Sequence, residues 1–159
     1  MEIESSITNK SMEWFLKLAH ERAEAERKKK AVIDGGKLFW TVLKSRVREA
    51  QTAYNTRYAA IATYPKTAWD ETTTPGQPFL KREIQVGATL QEKDRVTLQY
   101  HPPATITATY SPDVSTVVLT VSLGAAGDAI LQCGGNEITV DGACELILRP
   151  ILFDDLPKV

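Results

Sequence analysis

Hydrophobic residues between positions 37 and 62 recur at steps of three or four, which is the spacing of one face of an α-helix. This apolar stripe consists of Phe39, Leu43, Val47, Ala50, Tyr54, Tyr58 and Ile61. The opposite face is mostly polar, so the pattern predicts an amphipathic helix, about 39 Å long at 1.5 Å per residue. The β region after it is expected to be no longer than this helix. Another element or another molecule therefore has to cover part of the stripe.

A second helical pattern lies upstream, in residues 12–30. Its first two turns, residues 12–19, are apolar around much of the circumference, and the remainder is strongly charged but made of good helix formers. Asp34, Gly35 and Gly36 form the only break between the two patterns, and glycine is common just past helix ends. The sequence thus predicts an antiparallel helical hairpin over residues 1–62. The alternative is one continuous helix that tolerates the glycines at about 1 kcal/mol each.

Residues 63–79 are rich in proline and threonine and separate the helical pattern from the β pattern. They include three prolines, one glycine and five threonines. Pro65 also predicts that the helix ends before it, because the residue preceding a proline resists the α conformation. A connection of this length without secondary structure is either a functional loop or a strap. We expect Trp69 and Phe79 to anchor it to the core, which favours a strap.

Alternating apolar and polar residues predict an antiparallel β module over residues 80–159. Four turns set its register. They are residues 92–94 (Leu90 opposite Val96), 111–114 (Ile106 opposite Leu119), 134–135 (Leu131 opposite Ile138) and 141–143 (Val140 opposite Cys144). Seven half-buried strands would form a β-sandwich or a partly open barrel. The predicted fold class is α+β.

One face of this module is polar and unusually rich in threonine. Threonine is first of all a good β-former. A flat polar face with exposed edges also suits packing against other subunits. The residues on this face are Thr97, Gln99, Thr105, Thr107, Thr109, Thr116 and Thr120.

The net charge of −1 conceals opposite charges on the two parts of the chain. Residues 1–66 contain 13 Lys or Arg and 8 Asp or Glu, whereas residues 67–159 contain 6 and 12. The two parts could simply dock on each other. A basic helical arm could instead be offered to a neighbouring subunit or to nucleic acid, for which Arg27–Lys30 with Lys37, Lys44 and Arg48 are the candidates.

The sequence contains no motif that assigns a catalytic residue, a metal site or a cofactor. The predicted strand register separates Cys133 from Cys144 by more than about 10 Å, whereas a disulfide requires Cα atoms within about 7 Å. Both are therefore predicted to be buried free thiols, as in a reducing compartment. No apolar run approaches the roughly 18 residues of a membrane span. The expected location is the cytoplasm, or an assembly formed there.

These patterns favour a non-enzymatic structural or interaction protein that acts as a subunit of a homo-oligomer or a larger assembly. The predicted interface is the helical stripe, represented by Phe39, Leu43, Val47, Tyr54 and Tyr58. The competing account is that the β module covers this stripe within one chain.

Two other functions are less favoured. The first is a ligand-binding module or small enzyme, with an apolar pocket between helices and sheet near Trp69, Asp70, Tyr100 and His101. There Asp70 or Glu71 would orient His101 as a general base. The second is nucleic-acid binding through the basic residues of the helical region, which is the weakest of the three hypotheses.

Overall fold

Two helices cover one face of a seven-stranded antiparallel sheet. The computed structural model describes residues 2–61 and 64–154, with side chains from residue 12 onward. The elements in chain order are α1 (Glu2–Tyr58), β1 (Lys66–Asp70), β2 (Phe79–Val86), β3 (Thr89–His101), β4 (Thr105–Ser111), β5 (Thr116–Leu123), β6 (Ala129–Cys133), β7 (Asn136–Glu137) and α2 (Val140–Leu152). Neighbouring strands in the sheet are consecutive in the chain. The α+β class is confirmed, but the sheet is an open meander and forms neither a sandwich nor a barrel.

The hairpin predicted over residues 1–62 is replaced by one continuous helix, α1, that runs through both glycines. A Cβ atom on Gly35 would lie 2.3 Å from the Cβ of Ala129, and one on Gly36 would lie 2.3 Å from the Pro103 carbonyl oxygen. Real atoms do not approach so closely, so only glycine lets the helix backbone pack this tightly on the sheet. The two glycines are packing residues inside the helix and do not end it.

The middle of the apolar stripe forms the protein's own core. Leu43 and Val47 are fully buried, Tyr54 is 5% exposed, and the half-buried Phe39 and Tyr58 pack against the same cluster. Leu43, Val47 and Tyr54 are therefore not accessible to another molecule in this fold, whereas Phe39 and Tyr58 keep part of their surface exposed. The sheet and α2 cover the buried residues, as the competing account proposed for the β module.

Residues 140–152 form helix α2, where the sequence predicted a hairpin loop and a seventh strand. The helix is capped by Thr139, whose Oγ1 accepts a hydrogen bond from the Gly142 backbone N–H at 2.9 Å. The acidic Asp141 lies in the first turn, where the helix dipole favours negative charge. The buried residues of α2 have helical spacing: Ala143, Cys144, Ile147, Leu148, Ile151 and Leu152.

Two of the predicted hairpins have the predicted register. Ile106 of β4 lies opposite Leu119 of β5. Cys133 pairs with Asn136 across Gly134 and Gly135, and the Ile138 backbone N–H donates to the Leu131 carbonyl oxygen at 2.9 Å. The register of β4 also keeps the predicted polar face, with its threonines, on the side of the sheet opposite the buried residues.

The register of the first hairpin was wrong, because β2 and β3 turn at Gly87 and not at residues 92–94. Gly87 has φ +61°, a backbone conformation that favours glycine. Val96 consequently lies opposite Leu80. Residues 63–79 also differ from the predicted strap, because they contain β1, which pairs with β2. The predicted anchors Trp69 and Phe79 do pack on the protein, Phe79 being 6% exposed.

An ion cluster around the buried Arg82 ties the end of α2 to the sheet. The guanidinium of Arg82, which is 3% exposed, donates from Nε to Asp94 Oδ1 at 2.8 Å and from Nη1 to Asp154 Oδ1 at 3.1 Å. The hydrogen bonds from Arg82 lower the pKa of Asp154. Because Asp154 directly follows the last turn of α2, the cluster fixes the position of α2 beside β2 and β3.

We predict that Gly36→Ala destabilises the protein, although alanine is the better helix former by about 1 kcal/mol. The added methyl would collide with the Pro103 carbonyl oxygen, and overpacking of this kind typically costs about 1–3 kcal/mol. Urea unfolding followed by circular dichroism measures the effect. Ser45→Ala, at an exposed position of the same helix, is the control and should be neutral or slightly stabilising. A stabilised Gly36→Ala variant would contradict the close contact.

We also predict that Leu43→Glu prevents stable folding, because it places a carboxylate in a fully buried apolar site. Such a change is expected to cost more than about 4 kcal/mol, comparable with the stability of many domains. The measurement is the circular dichroism melting curve of the purified variant. A variant that kept the wild-type melting temperature and only lost mass in light scattering would restore the intermolecular interpretation of the stripe.

Candidate functional site

Residues 12–30 of α1 expose their side chains to solvent. In residues 12–30, which we call the arm, every side chain except the half-buried Glu24 is exposed. The exposed fractions of its large apolar residues are 44% for Met12, 61% for Trp14, 50% for Phe15, 60% for Leu16 and 53% for Leu18. The hairpin prediction gave these residues a partner in the second helix. A continuous α1 leaves them exposed.

The arm exposes apolar side chains around much of its circumference, with a total area comparable to the largest apolar patch of a typical monomer. Half-exposed side chains of two aromatic and three aliphatic residues leave on the order of 500 Å² of apolar surface in water. The largest apolar patch on a typical monomer measures about 300–600 Å² and is often functional. The arm is therefore the strongest candidate for an interaction surface among the described residues.

A groove lies between the parallel helices α1 and α2, on the side away from the sheet's polar face. Its volume is about 690 Å³. One end is marked by Arg46 and Asp141, whose Nε and Oδ1 atoms are 3.4 Å apart. Toward the other end the rings of Tyr54 and Phe153 meet with centroids 5.9 Å apart. The apolar lining consists of Ala50, Ala53, Tyr54, Tyr58, Cys144, Leu148, Leu152 and Phe153.

Charged residues on both helices form the rims of this α1/α2 groove. On α1, Glu49 precedes Arg57, and on α2, Glu145 precedes Arg149. Because the helices are parallel, the two glutamates lie nearer the Arg46 end and the two later arginines lie nearer the opposite end. Glu145 and Arg149 also pair with each other, with Oε1 and Nη1 3.8 Å apart, and Glu49 pairs with Arg46 at 3.1 Å. Each rim therefore carries side chains of both charges above an apolar lining.

Cys144 contributes the only thiol to the lining of the groove. Burial, followed by the charge of Asp141, raises the pKa of this thiol to about 11. At neutral pH the side chain is therefore a protonated, weakly nucleophilic apolar group. Both cysteines are free thiols, Cys133 half-buried and Cys144 buried. Since Cys144 belongs to a helix, however, the strand register from which this was predicted was wrong.

The residues of the predicted alternative pocket do not converge. Trp69 lies opposite Leu80, which in turn lies opposite Val96, and His101 is five residues further along β3. At about 3.4 Å per residue, this offset alone is about 17 Å. The nearest polar partner of the imidazole is Thr107, whose Oγ1 lies 3.0 Å from His101 Nε2. The structure therefore does not bring the proposed general base to the tryptophan.

The other two residues of that pocket have structural partners. Asp70 accepts hydrogen bonds from the Thr73 hydroxyl and from the backbone N–H groups of Thr73 and Thr72, which lower its pKa to about 2. Tyr100 stacks on Trp40 of α1 with ring centroids 5.9 Å apart and donates to the Pro103 carbonyl oxygen at 3.0 Å. Asp70 thus shapes a turn, and Tyr100 belongs to the contact between helix and sheet.

The basic residues considered for nucleic-acid binding are partly engaged within α1. Arg27 pairs with Glu24 at 2.7 Å and Lys30 with Asp34 at 3.9 Å. The Lys44 ammonium lies 5.0 Å from the centroid of the Trp40 ring. Lys37 and Arg48 are exposed. These contacts leave a mixed charge along the helix, and nucleic acid remains the least favoured partner.

Other site classes find no support in the described part of the chain. Among residues 2–61 and 64–154, no group of three His, Cys, Asp or Glu side chains could hold a metal ion. None of the helices within these ranges is long and apolar enough to cross a membrane. No protein-family model matches the chain, and comparisons with curated proteins and with solved structures find no match either. Its function therefore has to be inferred from its own residues.

The sequence interpretation missed the α1/α2 groove because it missed α2. Two signals could have identified that helix. Thr139 followed by Asp141 matches the pattern of a helix N-terminus, in which a capping threonine comes before an acidic residue in the first turn. The apolar residues from Ala143 to Leu152 also depart from the strict alternation of a half-buried strand, since residues 146–148 are a continuous apolar run, and positions 143, 144, 147, 148, 151 and 152 fit one face of a helix.

We predict that the alkylation rate of Cys144 rises about tenfold per pH unit from pH 7 to beyond pH 9.5. The reason is that only the thiolate reacts and its pKa is about 11. An ordinary thiol, with a pKa of about 8.5, would reach a plateau near pH 9.5. The measurement is iodoacetamide labelling of a Cys133→Ser variant followed by mass spectrometry. A plateau below pH 9, with circular dichroism unchanged, would show that the thiol is not buried as described.

Proposed function

We propose that this protein is a non-enzymatic interaction protein that works as a subunit of an oligomeric assembly. The observation that supports this most directly is the exposed apolar part of the arm, from Met12 to Leu18. The interaction surface we propose differs from the one that the sequence favoured, because the central stripe of α1 is needed for the core. The proposal retains the feature on which the sequence hypothesis was based: the amphipathic helix extends beyond the part that the β module covers.

Apolar side chains of the arm are unfavourably exposed to water, and their burial in an interface would stabilise a complex. Each large apolar side chain that moves from an exposed to a buried position contributes about 1.5–3 kcal/mol. Trp14 and Phe15 are residues of the kind that dominate binding energy at protein interfaces. A rigid helix that carries them loses little conformational entropy when it binds, since its backbone is already ordered.

The surroundings of the arm support protein recognition over catalysis. Its polar side carries both signs of charge, including Glu13, Lys17, Glu21 and Arg22, as is typical of the solvated rim of a protein interface. The free thiols of the protein suit a reducing compartment. We therefore propose that the assembly forms in the cytoplasm.

We predict that Leu16→Glu weakens self-association at least tenfold without unfolding the protein. Leu16 is 60% exposed, so the folded monomer tolerates the charge, whereas an interface that buries this residue does not. The measurement is light scattering across a dilution series at tens of micromolar. Leu38→Glu is a matched control, because Leu38 is 62% exposed on the same helix but lies outside the arm. If the wild-type protein stays monomeric, self-assembly through the arm is wrong.

A further inference from the structure

The α1/α2 groove and the arm are complementary in length. The groove extends along α1 from Arg46 to Tyr58 and along α2 from Asp141 to Phe153, about 18 Å in each case at 1.5 Å per residue. On one face of the arm, Met12, Phe15, Leu16, Ala19 and Ala23 recur at steps of one, three and four, a span of about 16 Å by the same measure. A helix of three turns therefore fits the groove along its whole length.

The two surfaces are also complementary in chemistry. The apolar face with Met12, Phe15 and Leu16 matches the apolar lining of the groove, and large side chains of this kind fill a groove between two helices. Trp14 and Leu18 lie on the other side of the arm and stay outside the groove in this arrangement. Glu13 and Lys17 of the arm are one turn apart, which is also the spacing of Glu145 and Arg149 on the rim. An antiparallel arm would bring Lys17 to Glu145 and Glu13 to Arg149.

The arm cannot reach the groove of its own chain. Both belong to the same continuous helix, and Leu16 and Ala53 are about 55 Å apart along its axis at 1.5 Å per residue. Only a second copy can bring an arm of this sequence to the groove.

We propose that the arm of one copy docks antiparallel in the α1/α2 groove of the next copy, an inference that rests on the proposed function. The contact is heterologous, since the two surfaces involved are different. Such a contact either closes into a ring or propagates into a filament. A chain with an intact arm and an intact groove then has two neighbours, one at each surface.

A complementation experiment tests this arrangement. Leu16→Glu damages the arm and leaves the groove intact, whereas Ala53→Arg fills the groove and leaves the arm intact. Ala53 is exposed, so the helix can accommodate arginine. Each variant alone should associate at least tenfold more weakly than the wild-type protein. An equimolar mixture should form a two-chain species, twice the chain mass of 17.6 kDa, and should not grow further. Thr52→Arg, on the opposite face of the same helix, is the control and should behave like the wild-type protein.

The outcomes separate this inference from the proposed function. If Leu16→Glu abolishes association but Ala53→Arg and the wild-type protein assemble equally, arms bind elsewhere, and the groove proposal is wrong while the assembly proposal stands. A monomeric wild-type protein contradicts both.

If Ala53→Arg does not fold, a charge exchange between two exposed positions tests the same contact. Lys17→Glu should weaken association roughly twofold to fivefold, and Glu145→Lys in the same chain should restore it. If the double variant associates as weakly as Lys17→Glu alone, docking in the groove is also contradicted.

Discussion

The close contact between the α1 backbone and the sheet at Gly35 and Gly36 determines how the rest of the chain is arranged. A side chain at either position would occupy space already filled by Ala129 or Pro103. The contact fixes the point along α1 at which the helix meets the sheet. Beyond it the helix is held by the stacking of Trp40 on Tyr100. The arm, which precedes the contact, is left exposed, whereas Leu43 and Val47, which follow it, belong to the core.

The local parts of this fold could be predicted from the sequence, because their determinants are close together in the chain. The turn between β6 and β7 is set by two adjacent glycines, and the pairing of Ile106 with Leu119 follows from a short turn and the alternation of side chains. The continuity of α1 could not be predicted in the same way. Glycine inside a helix is locally unfavourable. Here it is required by close contact with residues about 65 to 95 positions further along the chain.

The candidate site was only partly predictable for a related reason. The sequence pattern indicated uncovered apolar surface on the helices, and the sequence interpretation placed it at Phe39, Leu43 and Val47. Without α2, Leu43 and Val47 appeared to lack a cover, whereas with α2 they belong to a closed core. The same error concealed the groove, since one of its two walls was read as a strand. Two errors, the hairpin predicted at Gly35 and Gly36 and the strand predicted in place of α2, therefore directed the interface prediction to the buried Leu43 and away from the exposed Leu16.

Assembly and the helical state of the arm are thermodynamically linked. An isolated helix of the arm's length is marginal in water, because forming its first turn is unfavourable and most helical stability in proteins comes from packing. The packed part of α1 supplies that first turn, so the arm can extend it without a nucleation cost. Ion pairs such as Arg27 with Glu24 add only a few tenths of a kcal/mol. Burial of Phe15 and Leu16 in a neighbour would add far more. An arm that is ordered at its base and apolar at its far end is thus suited to bind as a preformed helix, with affinity set by how completely that end is covered.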